Sequence, residues 1–164
     1  MIQVAVVTVS DSAVAGTRED RSGPKLRERA EALGWDVRSL DLVPDELDQI
    51  AKKIRQLADS GLVSVILTTG GTGVALRDVT PEATREVIDR EIPGLAELMR
   101  SEGRKFTPLA VLSRALAGVR GRTLIVNLPG SPKGAVESLD AVATLIPHVV
   151  DLLEGRTSHA DVPH

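Results

Sequence analysis

The chain switches repeatedly between two hydrophobic periods. Val4-Ala5-Val6-Val7 followed by Val9 is a near-continuous apolar run, as a strand covered on both faces requires. A polar stretch from Ser10 to Gly23 separates it from a short helix opened by Pro24 and ending near Leu33, with Gly34 placed to terminate it. Val37 to Val43 reads as a second strand. A helix opening at Pro44 or Asp45 then carries Leu47, Ile50, Ala51, Ile54, Leu57 and Ala58 on one stripe of period 3.6, and Gly61 ends it. Val63, Val65, Ile66 and Leu67 predict a third strand. Thr80-Pro81-Glu82 reads as the cap and first turn of a further helix. Another helix is expected from Gly94 to about Glu102, and Leu109 to Leu116 is apolar without a clear period. Thr123 to Val126 is the last strand. One final helix, kinked at Pro147, carries apolar positions from Val136 to Leu153.

Strands alternating with helices predict an α/β fold with a mainly parallel sheet. The pattern is read as a single domain over residues 1–155 and a polar tail over 156–164, with no repeat or linker. In such sheets ligands bind beyond the carboxyl ends of the strands. The segments that matter most are therefore Ser10–Ser12, Pro44–Glu46, Gly70–Asp78 and Pro129–Lys133.

Composition narrows the chemistry. The chain has 164 residues, no cysteine and three histidines crowded toward the C-terminus, which excludes disulfides and cysteine nucleophiles and disfavours a zinc site. Net charge is −3, and Trp35 and Phe106 are the only aromatics. Nucleic-acid binding is not expected from that surface. No apolar run is long enough for a bilayer span, and Met1 leads directly into a strand without a basic leader, so a cytoplasmic protein is expected.

Gly70-Gly71-Thr72-Gly73 follows a buried strand. Three glycines in four residues allow close backbone approach, and consecutive amides make an anion nest, with Thr69 and Thr72 adding hydroxyls. The segment is neither a P-loop nor a dinucleotide fingerprint, because Val74 and Leu76 stand where those motifs need other residues. Asp78 beside such a nest has two readings: it holds the loop by accepting backbone amides, or it faces the ligand through Mg²⁺. Asp45 likewise reads as a helix cap or as a second carboxylate for a metal–nucleotide site. Arg77 and Lys133 could meet phosphate or simply be solvated. Pro129-Gly130-Ser131 and Ser10-Asp11 are polar turns or ligand rims. Ser113-Arg114 either turns one charge inward or lies on a solvated face.

Several segments together carry a resemblance: Thr8-Val9-Ser10-Asp11-Ser12, Ser22-Gly23-Pro24, Val43-Pro44-Asp45, the run Thr68 to Ala83, Ile92-Pro93-Gly94 with Glu97-Leu98-Met99-Arg100, Leu112-Ser113-Arg114, and Asn127 to Pro132. In this order they resemble the MogA/MoaB family of molybdenum-cofactor biosynthesis proteins, over about residues 4 to 150. The resemblance implies a three-layer, doubly wound α/β fold assembled as a homotrimer. It implies Mg²⁺-dependent adenylylation of molybdopterin by ATP, with release of pyrophosphate. Asp45 and Asp78 match the family's catalytic aspartates and are the Mg²⁺ ligands it suggests. Ser10, Asp11, Thr69, Gly70, Gly71, Thr72, Gly73, Pro129, Gly130 and Ser131 match positions around the phosphates, and Ser113 and Arg114 a segment on the pterin side. A molybdenum-insertion protein is the implied partner. The alternatives are a molybdopterin carrier of the same fold without catalysis, a structural trimerisation domain, and a CinA-like activity.

Overall fold

The computed structural model describes residues 1–156, which form one six-stranded sheet with helices on both faces. The strands are β1 (Gln3–Val9), β2 (Asp36–Val43), β3 (Val65–Thr69), β4 (Arg90–Glu91), β5 (Ala117–Arg120) and β6 (Thr123–Leu128). The helices are α1 (Asp11–Val14), α2 (Ser22–Ala32), α3 (Leu47–Asp59), α4 (Thr80–Val87), α5 (Pro93–Gly103), α6 (Pro132–Val142) and α7 (Ile146–Leu153). Strand order is β2-β1-β3-β6-β5-β4. The first three neighbour pairs are parallel, and the last two are antiparallel.

The side-chain period of two sorts the core. Val4, Val6, Val65, Leu67, Leu124 and Val126 face one layer of helices, where Leu26 of α2, Leu95 of α5, Leu139 of α6 and Ile146 of α7 meet them. Ala5, Val7, Ile66 and Ile125 face the other layer, against Ile50 and Ile54 of α3 and Ala83 and Val87 of α4. Every strand position in the centre is thus buried, which is why β1, β3 and β6 read as continuous apolar runs rather than alternating ones.

The three-layer, doubly wound, mainly parallel α/β expectation is met. Several boundaries differ. The apolar stretch after Leu109 is a 3-10 turn (Pro108–Leu112) followed by β5, a four-residue strand between β6 and β4 that is too short to show a period. The expected kinked terminal helix is two helices: Pro147 sits in the first turn of α7, where its missing N–H costs nothing. Asp45 does not cap α3, which starts at Leu47 after Glu46. Thr80 is the first residue of α4, not its cap. Its hydroxyl donates to the Gly70 carbonyl at 2.9 Å instead. The expected tail lies, from residue 157 on, outside the described residues.

Register brings the carboxyl ends of the parallel strands level. Val9 pairs with Val43, Thr8 with Thr69, and Thr69 with Leu128. The chain winds outward from β1 to β2 on one side and to β3 on the other, so a crevice opens where the winding reverses. The turns after β1, β2, β3 and β6 all end there.

Candidate functional site

The glycine turn after β3 is built by its backbone. Gly70 and Gly71 both have left-handed φ, +101° and +69°. A Cβ on Gly70 would sit 2.4 Å from the Val9 carbonyl oxygen, and one on Gly71 would sit 2.3 Å from Thr80 Oγ1. The Gly70 amide is committed to the Leu128 carbonyl at 3.1 Å. The loop's carbonyls are taken up from behind: Gly71 by the Thr80 amide, Thr72 by the Arg114 amide. Among the described residues, the amides of Gly71, Thr72 and Gly73 meet no acceptor. The anion nest therefore comprises Gly71 to Gly73 rather than starting at Gly70.

Arg114 is the buttress of this loop. Its guanidinium donates to the Gly73 carbonyl at 2.7 Å, the Asp78 carbonyl at 2.6 Å and the Glu82 carboxylate at 2.7 Å. The arginine is thereby turned inward against the loop, and Ser113 beside it lines the crevice. Arg100 of α5 donates to the Ser113 and Ala115 carbonyls at 3.3 and 2.8 Å, fixing the segment from the other side. The turn after β6 closes against the glycine loop. Thr69 Oγ1 donates to the Pro129 carbonyl at 2.6 Å. Ser131 caps α6 by accepting from the Gly134 amide at 3.1 Å, with Pro132 in the first turn.

The carboxylates divide their work. Asp45 and Asp11 exchange bonds: Asp45 Oδ2 accepts the Asp11 amide and Asp11 Oδ1 accepts the Asp45 amide, both at 2.9 Å. Asp11 is further held by Arg77, whose guanidinium reaches both its oxygens at 2.8–2.9 Å and Glu46 at 3.1 Å. That hydrogen bonding keeps the Asp11 carboxyl below the usual carboxylate range. Ser10 caps α1 through the Ala13 amide at 3.2 Å. Asp45 moves the other way. Burial raises it above its ordinary value, and the negative charges of Asp11 and Asp78 add to this, against the opposing bond from the Asp11 amide and the charge of Arg77. Asp78 Oδ2 accepts the Ala75 amide at 3.0 Å, so it does hold the loop. Arg77 is spent on carboxylates.

Two cavities share this wall. The first, about 570 Å³, lies between the glycine loop, α5, the 3-10 turn and α6 and is walled largely by aliphatic side chains such as Met99, Leu109 and Leu112. The second, about 500 Å³, lies over the ends of β1 and β2 and is polar, with Ser10, Arg18, Asp20, Arg21 and Asp45 around it. Gly71, Asp78, Gly130 and Ser131 line both. The structure thus gathers all the expected positions in one crevice: Ser10, Asp45, Thr69 and Gly70 in the polar chamber, Thr72, Gly73, Ser113 and Pro129 in the apolar one, with Asp11 and Arg114 bracing their walls.

Sequence reasoning missed Asp20, whose carboxylate accepts the Thr8 hydroxyl at 2.9 Å and the Gly23 amide at 3.0 Å. It also missed Asn127, fully buried, which donates to Thr68 and Thr84 at 3.0 Å each and accepts the Leu116 amide at 3.2 Å. An asparagine inside an apolar strand run is a signal that could have found it. Glu137 of the apolar chamber carries no such signal, since it sits on an amphipathic helix, whereas Arg100 falls in the Glu97-Leu98-Met99-Arg100 stretch of the resemblance.

Mg²⁺ fits the donor set. It takes one or two protein carboxylates and completes its shell with water and phosphate oxygens. Burial is the main cause that raises Asp45, and the smaller part added by the negative charges of Asp11 and Asp78 is what a cation beside Asp78 would relieve. Among the described residues no group of three metal-ligating side chains converges.

A family model described as "Probable molybdopterin binding domain" matches residues 5–148. The chain is similar to a molybdopterin adenylyltransferase of Helicobacter pylori, 43% identical over 157 residues, covering 94% of this chain and 89% of the relative. It is 38% identical to one of Escherichia coli, covering 94% and 86%. A solved structure of the molybdopterin biosynthesis enzyme MoaB from Thermus thermophilus superposes with a TM-score of 0.89 at 54% identity, covering 94% of this chain and 98% of that one. With its two-chambered crevice at the switch point of the sheet, the chain belongs to the MogA/MoaB family of molybdopterin-binding domains.

Proposed function

We propose that this protein is a molybdopterin adenylyltransferase, acting in molybdenum-cofactor biosynthesis on molybdopterin and ATP. The observation that carries the reading is the pair of chambers, one apolar and one polar, meeting at Gly71, Asp78, Gly130 and Ser131. A two-substrate group transfer needs two cavities with one common boundary. The apolar chamber suits a flat heterocycle packed on aliphatic side chains, and the polar one suits a nucleotide with its phosphates.

The attacking group is the terminal phosphate of molybdopterin, already anionic at neutral pH. One of its oxygens forms a bond to the α-phosphorus of ATP, the bond from that phosphorus to the bridging oxygen breaks, and pyrophosphate leaves with the electron pair. No general base is needed, in keeping with a crevice lined by neither histidine nor cysteine among the described residues. Catalysis then rests on positioning and charge neutralisation. The amides of Gly71 to Gly73 grip phosphate at the boundary. Asp45 and Asp78 are the catalytic carboxylates and would hold Mg²⁺, which when bound neutralises the triphosphate and the departing pyrophosphate. Asp11 and Arg77 fix Asp45, and Arg114 fixes the loop.

A homotrimer and delivery of the product to a molybdenum-insertion protein belong to the same proposal and rest on the resemblance, and a cytoplasmic location belongs to it on the sequence pattern. No helix among the described residues is long and apolar enough to cross a membrane. The test is pyrophosphate release from Mg-ATP with and without molybdopterin, with the adenylylated product identified by mass. Release that requires the pterin is expected. Pterin binding without release would favour a carrier of the same fold, the reading to which the loop-holding bond of Asp78 would then belong.

A further inference from the structure

The apolar chamber contains one carboxylate that the mechanism does not use. Gly134, Glu137 and Ser138 lie at spacings of three and four on α6 and line the chamber together. The Glu137 side chain is 19% exposed, and its Oε1 is buried without a hydrogen-bond partner. The nearest cation is Lys133 at 3.8 Å, beyond hydrogen-bonding distance and itself 86% exposed. Arg100, the chamber's own cation, is committed to the Ser113 and Ala115 carbonyls. A buried carboxylate oxygen without a donor is costly, and such groups ordinarily find a partner. The missing partner here is a donor that enters with the ligand.

We propose that Glu137 reads the pyrimidine edge of the pterin, accepting hydrogen bonds from its 2-amino group and ring N3–H. The inference rests on the adenylyltransferase reading for the identity of the ligand. A 2-amino-4-oxo ring offers two adjacent N–H donors side by side, which match the two oxygens of a carboxylate. The surrounding chamber offers aliphatic surface for the ring faces. The geometry also gives the ligand a direction. Glu137 is six residues along α6 from Ser131, roughly 9 Å at 1.5 Å per residue. Glu137 lines the apolar chamber only, whereas Ser131 lines both. The pyrimidine end therefore sits deep on α6, and the phosphate end reaches the shared boundary where transfer occurs. Glu137 is a binding and specificity residue. It acts on the part of the substrate that does not react.

The test compares wild type with Glu137→Gln and Lys133→Ala, measuring the molybdopterin Kd by its intrinsic fluorescence and the steady-state constants for both substrates. Glu137→Gln keeps the shape but removes the charge and one acceptor. It is expected to weaken molybdopterin binding at least about 10-fold. The KM for ATP and kcat at saturating pterin should stay within about twofold of wild type. Lys133→Ala should leave molybdopterin binding unchanged. A wild-type Kd in Glu137→Gln with an unaltered thermal unfolding curve would overturn the proposal. So would equal losses in the two variants, which would make Glu137 a partner of Lys133 only. Wild-type protein that binds no molybdopterin would defeat the adenylyltransferase reading itself, a result distinct from either.

Discussion

Replacing Gly71 with alanine isolates the strain on which the anion nest depends. Gly71 has φ +69°, and a left-handed alanine costs about 1–2 kcal/mol. Its Cβ would stand 2.3 Å from Thr80 Oγ1 and 3.2 Å from Asp45 Oδ1. Thr80 is fully buried, so its side chain has no room to retreat, and its bond to the Gly70 carbonyl must break or lengthen. Leaving that buried pair unmatched adds about 1–3 kcal/mol. The sum is about 2–5 kcal/mol, or about 1–2.5 M in the urea midpoint at a slope near 2 kcal/mol/M. Gly16→Ala is the control, because Gly16 has φ +75° with nothing within 4 Å of its added Cβ. It should lose only the left-handed term. Unfolding should be compared at one protein concentration, since any assembly makes midpoints concentration-dependent. Equal midpoints for Gly71→Ala and Gly16→Ala would refute the claim that Thr80 locks the nest.

Asp45→Asn should stabilise the protein at pH 7, with the gain shrinking as pH falls. Burial raises the folded-state pKa of Asp45 above 3.8, so its ionised form destabilises the fold above that raised value and ceases to do so once the folded and unfolded forms are both protonated. Thermal unfolding from pH 7 to pH 3 checks the sign, and a gain that grows toward acid would be inconsistent with it. Arg114→Lys cannot serve the Gly73, Asp78 and Glu82 acceptors together, so amide exchange across residues 73–78 should accelerate while the strands stay protected. Unchanged exchange there would remove Arg114 as the buttress. Asn127→Leu leaves the Leu116 amide without its side-chain acceptor and two threonine hydroxyls without their donor, and should cost about 2–4 kcal/mol in urea unfolding.

The sequence exposes those parts of this molecule whose cause is local. Continuous apolar runs betray β1, β3 and β6 because both faces are covered, and the glycine run after β3 betrays the crevice because only glycine tolerates the backbone at 70 and 71. The parts it hides are set by distant partners. β5 has four residues and packs Gly118 against the Arg90 carbonyl, so neither propensity nor period marks it. Asp45 looks like a helix cap until Asp11, 34 residues away, is seen to occupy it. Arg114 has no local reason to turn inward, because its acceptors lie 36 and 41 residues back along the chain. Glu137 looks like any polar position on an amphipathic helix until the chamber it faces is known.

The proposed group transfer occurs at the boundary between the two chambers, with Asp78 supplying charge as well as holding the loop. Asp78→Asn keeps an acceptor for the Ala75 amide and removes the charge, so it separates those roles. The direct measurement is molybdopterin-dependent pyrophosphate release from Mg-ATP by this variant, with binding of both substrates measured alongside. Turnover should fall at least about 100-fold, the loss expected when one strong electrostatic contribution is removed, while both substrates still bind. Wild-type turnover in Asp78→Asn would contradict it and leave Asp78 a structural residue of the loop.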